Sequence, residues 1–189
     1  MYLDEIHGLS LDPEACKRHH DMKIVYTPIH GTGLRLVFDS LRKWGFDNVI
    51  HVPEQDVQSG DFPTVVSPNP ENAEAMTLGI AKAKETGASL VLASDPDADR
   101  IGLVVRDGSG NYQLVNGNQI NMLMIYYLIT KNAERGMLKG NEYIVKTIVT
   151  TESIKRIADA NGVECYDCFT GFKWIADVIR NLEGKKRYI

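Results

Sequence analysis

Cysteine is scarce in this chain: three in 189 residues, Cys16, Cys165 and Cys168. An odd, low count with no secretory signature excludes a disulfide framework and points to a reducing compartment. Cys165-Tyr166-Asp167-Cys168 matches C-x-x-C, but no second pair completes a zinc site, so it reads as two thiols on or just beyond a strand. No apolar run approaches the ~18 residues of a membrane span, and the N-terminus has no signal-peptide pattern. The chain is therefore expected in the cytoplasm, away from membranes. A basic stripe is also missing, and with a formal net charge of −4 the sequence argues against nucleic acid as a partner. A few local Arg and Lys residues can still hold small anions. What remains, 43% hydrophobic and 24% charged residues, is ordinary globular composition with room for one or two cores.

Against that plain background one stretch stands out, Ser94-Asp95-Pro96-Asp97-Ala98-Asp99-Arg100. It follows the apolar run Ala88-Ser89-Leu90-Val91-Leu92-Ala93 and precedes Ile101-Gly102-Leu103-Val104-Val105. The first run reads as a buried strand, so the acidic loop emerges from a strand end, where open α/β sheets place ligands. Asp95, Asp97 and Asp99 repel one another unless a cation sits among them. Oxygen-only donors suit a hard ion, Mg²⁺ before Ca²⁺, with water or a phosphate oxygen completing its shell. Arg100 keeps its charge and offers a planar fork for a phosphate or for orienting a carboxylate. A Ca²⁺ EF-hand loop from Asp95 fails, because its sixth position is Arg100 and its twelfth Arg106. An acidic solvated turn is the alternative, but such turns rarely stand between two buried runs.

Along the chain, residues 1–21 read as a charged linker or lead-in helix, with Lys17-Arg18-His19-His20 near its end. Lys23 to Pro28 is a strand. Ile29-His30-Gly31-Thr32-Gly33 turns into a helix from Leu34 to Trp44, with Leu34, Val37, Phe38 and Leu41 as its apolar stripe. The glycine turn could offer N–H groups to an anion, though G-x-G also makes any tight turn. Phe46 to Val52 is a second strand, and the long polar connection from Pro53 to Pro68 has the length of a functional loop. Asn69-Pro70-Glu71 has the signature of a helix start, for a helix running to about Glu85. Asp107 to Asn111 is a hairpin turn, followed by a short strand, Tyr112 to Val115. A second α/β rhythm then begins: helix from Asn118 to about Glu134, strand from Tyr143 to Val149, helix from Thr151 to Ala160, strand from Val163 to Cys168, helix from Trp174 to Leu182. Lys186 to Ile189 looks like a strand just entered, so this half is expected to be truncated.

At Asp95-Pro96-Asp97-Ala98-Asp99-Arg100 the chain resembles the metal loop of the α-D-phosphohexomutase family, the phosphoglucomutases and phosphomannomutases. Tyr26 to Gly31, Pro68 to Glu71, Asn116 to Gln119, Lys146 to Val149 and Thr170-Gly171-Phe172-Lys173 agree in the family's order. The resemblance implies an α/β fold of two successive three-layer α/β/α domains. Residues 1–112 correspond to the family's second domain, with the linker 1–21, and residues 113–189 to its third, truncated before the sugar-recognition loop.

Carried over to these positions, the resemblance implies Asp95, Asp97 and Asp99 as ligands of one Mg²⁺, and Arg100 and Lys173 as catalytic. Arg100, Thr170, Gly171, Lys173 and Lys146 would contact the phosphosugar substrate. The implied reaction interconverts hexose 1-phosphate and hexose 6-phosphate through a phosphoserine and a 1,6-bisphosphate, with glucose 1,6-bisphosphate as activator. No motif of the type Thr-Ala-Ser-His-Asn-Pro, which carries the family's phosphorylated serine, occurs here. The chain is thus expected to be the middle of a longer enzyme, inactive alone, whose first and fourth domains are its partners. A non-catalytic module that binds metal or sugar phosphate is the alternative. An aspartyl-phosphate phosphatase also places D-x-D after a strand, but its continuation differs from Pro96-Asp97-Ala98-Asp99-Arg100.

Overall fold

The Ile-Val-Tyr-Thr run forms strand β1, Ile24–Thr27, and all of its residues are buried. A central parallel strand is covered on both faces, which its unbroken apolar sequence anticipates. The computed structural model describes residues 1–189, in two compact units, Met1–Gly117 and Asn118–Ile189.

In the first unit, helices α1 (Tyr2–Gly8) and α2 (Pro13–Arg18) precede β1. A 3₁₀ turn (Thr32–Arg35), α3 (Val37–Lys43), β2 (Val49–His51), α4 (Thr77–Thr86), β3 (Leu90–Ser94), β4 (Ile101–Arg106) and β5 (Tyr112–Val115) follow. The sheet order is β2-β1-β3-β4-β5. Strand β1 pairs in parallel with β2 and β3, while β3–β4 and β4–β5 are antiparallel. Strand alternation puts Tyr26 on the face covered by Phe38 of α3, with ring centroids 4.9 Å apart. Thr27 and Val91 lie on the opposite face, against Gly79 of α4. Helices thus cover both faces of the sheet. Because β5 pairs with β4, the first unit runs to Gly117.

The second unit contains α5 (Gly117–Glu134), β6 (Glu142–Thr147), α6 (Ser153–Ala160), β7 (Glu164–Cys168), α7 (Phe172–Leu182) and β8 (Arg187–Tyr188). Its parallel sheet has the order β7-β6-β8. Ile129 of α5, Ile144 of β6, and Ile154 and Ala158 of α6 close one core with Val163. Cys165 and Cys168 are both free, on β7. Three residues apart on a strand, they face opposite sides and cannot chelate one ion. No helix is long and apolar enough to cross a membrane.

Two expected helices change. The one expected from Leu34 divides into the 3₁₀ turn and α3, because Gly33 is wedged against Tyr26 and Ser94; a Cβ there would lie 2.2 Å from the Tyr26 hydroxyl. The helix expected from Asn69 begins only at Thr77. Asn69 does cap, its Oδ1 accepting the Glu71 N–H at 3.0 Å, but the chain continues as turns. Pro70 is buried on β4, so close that a Cβ on Gly102 would lie 2.4 Å from the Pro70 carbonyl oxygen. That contact fixes the segment before a helix can start.

Candidate metal centre

The acidic loop closes a hairpin. Ser94 at the end of β3 pairs with Ile101 at the start of β4, and residues 95–100 span the gap. The Ala98 N–H bonds the Asp95 carbonyl at 3.0 Å, with Ala98 in the left-handed region at φ 60°. That turn lets successive aspartates converge. One ligand oxygen from each of Asp95, Asp97 and Asp99 lies within 4.8 Å of the others.

The three carboxylates stand in different surroundings. Asp95 is fully buried. Its Oδ1 accepts the Arg100 backbone N–H at 2.9 Å and its Oδ2 accepts Arg100 Nε–H at 2.8 Å. Burial pushes the Asp95 carboxyl up, but the Arg100 bonds and charge outweigh it and hold the group below its ordinary value. Asp97 and Asp99 are exposed. The charge of Asp97, then burial, then Asp95 push the Asp99 carboxyl up. Arg100 offsets only one of the three charges, and its Nε lies 3.7 Å from Asp99 Oδ1. A divalent cation would relieve this repulsion, and oxygen-only donors suit a hard one; the residues present fit Mg²⁺. Each Asp95 oxygen retains a lone pair for it. The Arg100 side chain is 54% exposed and only its Nε is engaged, so the terminal nitrogens remain for an anion.

The loop leans on the glycine turn. The Pro96 carbonyl accepts both the Thr32 N–H at 2.8 Å and the Thr32 hydroxyl at 3.0 Å. Gly31 touches Pro96 so closely that a Cβ would lie 2.4 Å from its Cα. The N–H groups of His30, Gly31 and Thr32 are taken by the carbonyls of Gln55, Pro28 and Pro96. Those three N–H groups are therefore not available to an anion, and Gly31 serves close approach to Pro96. The sequence showed the glycines but not what they touch.

In the second unit, Thr170, Gly171 and Lys173 lie together in the exposed connection from β7 into α7. Gly171 has φ 124°, which favours glycine, and its carbonyl accepts the Trp174 N–H at 3.0 Å. The Lys173 ammonium lies 5.0 Å from the centre of the Trp174 ring and has no carboxylate partner. Phe169 precedes this stretch and Phe172 lies within it, 64% and 78% exposed. Lys146 differs from expectation: its side chain is 3% exposed, and Nζ reaches Asp167 at 2.6 Å and Glu152 at 2.7 Å. Hydrogen bonds that it donates to Asp167 first and to Glu152 next raise its pKa. With its ammonium held by both carboxylates, Lys146 ties β6 to β7 and the start of α6.

Fold and site together define a divided α/β protein with three converging carboxylates at the end of a buried strand. Residues 1–108 match the family description "Phosphoglucomutase/phosphomannomutase, alpha/beta/alpha domain II", and residues 116–185 match domain III. The chain belongs to the phosphoglucomutase/phosphomannomutase family. It is 40% identical over 162 residues to a phosphoglucomutase of Staphylococcus saprophyticus, covering 86% of this chain and 29% of that protein. It is 32% identical over 189 residues to a probable phosphoribomutase of Schizosaccharomyces pombe, covering 100% of this chain and 32% of that one. The chain thus spans about a third of the length of these curated relatives. A phosphoglucomutase/phosphomannomutase family protein from Burkholderia thailandensis shares the fold, with TM-score 0.67 and 22% identity over 91% of this chain and 36% of its own. The N-acetylphosphoglucosamine mutase of Aspergillus fumigatus, solved with GlcNAc-6P and magnesium, has TM-score 0.59 and 16% identity over 90% and 36%.

Proposed function

We propose that this chain supplies the metal-bearing part of a Mg²⁺-dependent phosphosugar mutase, which moves a phosphoryl group between two hydroxyls of one sugar through a phosphoserine and a sugar bisphosphate. The observation that carries this reading is the convergence of Asp95, Asp97 and Asp99 around the buried Asp95–Arg100 pair. Phosphoryl transfer has little covalent chemistry for the protein to perform and depends on positioning and charge. When bound, the cation would offset charge on the transferring group. Arg100 does two things: through Nε and its backbone N–H it fixes the Asp95 carboxylate, and through its free terminal nitrogens it binds phosphoryl oxygens. Thr170 and the Gly171 backbone contact the phosphosugar, and the uncommitted ammonium of Lys173 holds its second phosphate or moves a proton to the sugar oxygen. The phosphorylated serine is assigned to a part of the full protein outside these 189 residues.

Mutase activity of the full-length protein is the test, with Mg²⁺ and a trace of glucose 1,6-bisphosphate. Glucose 1-phosphate, mannose 1-phosphate and ribose 1-phosphate are offered in parallel, because the relatives include both a phosphoglucomutase and a probable phosphoribomutase. Conversion of one sugar by the full protein, and none by the 189-residue chain alone, is the expected result. No conversion of any sugar by a serine-phosphorylated, metal-loaded protein would overturn it. The reading would then pass to a non-catalytic module for metal and sugar phosphate.

A further inference from the structure

Next to the acidic loop lies a chain of hydrogen bonds, buried at Thr27 and Gln55 and part-buried at His30 and Thr64, that the proposed chemistry does not use. His30 is 3% exposed, and both of its ring nitrogens are engaged. Nδ1 lies 2.8 Å from the Val57 carbonyl, which can only accept, so Nδ1 carries the proton. In the neutral ring Nε2 then accepts from the Thr64 hydroxyl, 2.8 Å away. Thr64 Oγ1 in turn accepts Gln55 Nε2–H at 3.1 Å, and Gln55 Oε1 accepts the Thr27 hydroxyl at 2.7 Å. Thr27 Oγ1 accepts the Ile29 N–H at 3.1 Å. Every donor runs in one direction, from Ile29 to Val57, and Gln55 and Thr27 are fully buried.

This chain encloses two consecutive non-glycine residues in the left-handed region, Ile29 at φ 44° and His30 at φ 62°. Such a backbone persists only where its surroundings over-determine it, and it gathers at functional sites. The residues that follow are Gly31 and Thr32, the pair that grips Pro96 of the acidic loop.

We infer that His30 is a positioning residue for the metal loop: its ring locks the strained turn that holds Pro96, and with it the spacing of Asp95 and Asp97. The inference rests on the proposed metal role of that loop, so its test includes a readout that needs no metal. Amide hydrogen exchange is measured on the 189-residue chain carrying His30→Phe, and on the milder, nearly isosteric Thr64→Val. The Thr32, Ala98 and Arg100 amides are expected to exchange at least tenfold faster, while those of Val25 and Val91 in the central strands stay unchanged. Mn²⁺ affinity, followed by electron paramagnetic resonance, is expected to fall at least fivefold in both variants. His30→Asn, which tolerates the left-handed backbone and retains a donor and an acceptor, is expected to restore part of both.

Unchanged loop amides in a folded Thr64→Val protein would overturn the inference, and so would a uniform acceleration throughout the first unit, which marks a merely structural role. Unchanged Mn²⁺ affinity beside faster loop amides would also overturn it. If the unaltered chain binds no Mn²⁺ while the loop amides still respond, the metal reading fails and the lock on the acidic loop stands.

Discussion

Gly31→Ala isolates the contact between the glycine turn and the acidic loop. Gly31 has φ −100° and ψ −172°, extended backbone that alanine adopts without strain, so the effect is one of contact alone. The new Cβ would lie 2.4 Å from Pro96 Cα, 2.6 Å from its oxygen and 2.8 Å from its carbonyl carbon, all backbone. Against an ordinary contact of 3.4 Å or more, the two segments must separate by about 1 Å. Such overpacking costs ~1–3 kcal/mol. Separation also stretches the Thr32 bonds to the Pro96 carbonyl at 2.8 and 3.0 Å, worth ~0.5–1.5 kcal/mol each. The loop relieves one cost by accepting the other, so the sum is about 2–4 kcal/mol. The assay is urea unfolding in a Trp174→Phe background, which leaves Trp44 as the reporter of the first unit. With a slope of ~1.5 kcal/mol per molar, the midpoint falls by about 1–3 M. Gly60→Ala is the control, since a Cβ there meets nothing within 4 Å. A Gly31→Ala midpoint no different from the control would refute the reasoning.

Asp97→Asn removes the largest source of the upward push on Asp99, so the Asp99 carboxyl titrates lower by NMR in the metal-free chain, while Mg²⁺ affinity and the activity of the full protein drop at least tenfold. An unmoved Asp99 titration would contradict the assigned cause. Glu142 is buried and accepts N–H groups from Lys139 and Gly140 and from the Arg187 guanidinium. Burial pushes its carboxyl up, yet these bonds outweigh that and hold it below the ordinary 4.5. Its stabilisation is therefore complete above about pH 4.5 and is lost as pH falls through the lower folded value. Glu142→Gln should cost the second unit ~1–3 kcal/mol at neutral pH and flatten its acid transition, both read by denaturation. Lys146→Met keeps the buried stem and removes the ammonium; melting is expected to move by only a few degrees and sugar-phosphate affinity of the full protein not at all, and a weakened affinity would return Lys146 to the site.

The hairpin that carries the acidic loop was legible because its chemistry is local. An apolar run, three alternating carboxylates, an arginine and a second apolar run need no distant partner to be recognised. The resemblance to the mutases rests on the same kind of short, ordered stretches. Where side chains meet across the fold, local pattern was silent or misleading. The Asn69-Pro70 signature does cap a turn, but burial of Pro70 on Gly102 delays the helix to Thr77. Lys146 carries the same residue type as a phosphate-binding lysine, and only its place between Asp167 and Glu152 shows that its charge is engaged.

By itself the sequence determined the order of strands and helices and the identity of the converging carboxylates, since both depend on residues close together in the chain. Tertiary structure alone decided which glycine touches Pro96, why His30 is buried and which lysine is free. Those outcomes depend on contacts between residues tens of positions apart, where a difference of 1 Å separates a hydrogen bond from a clash.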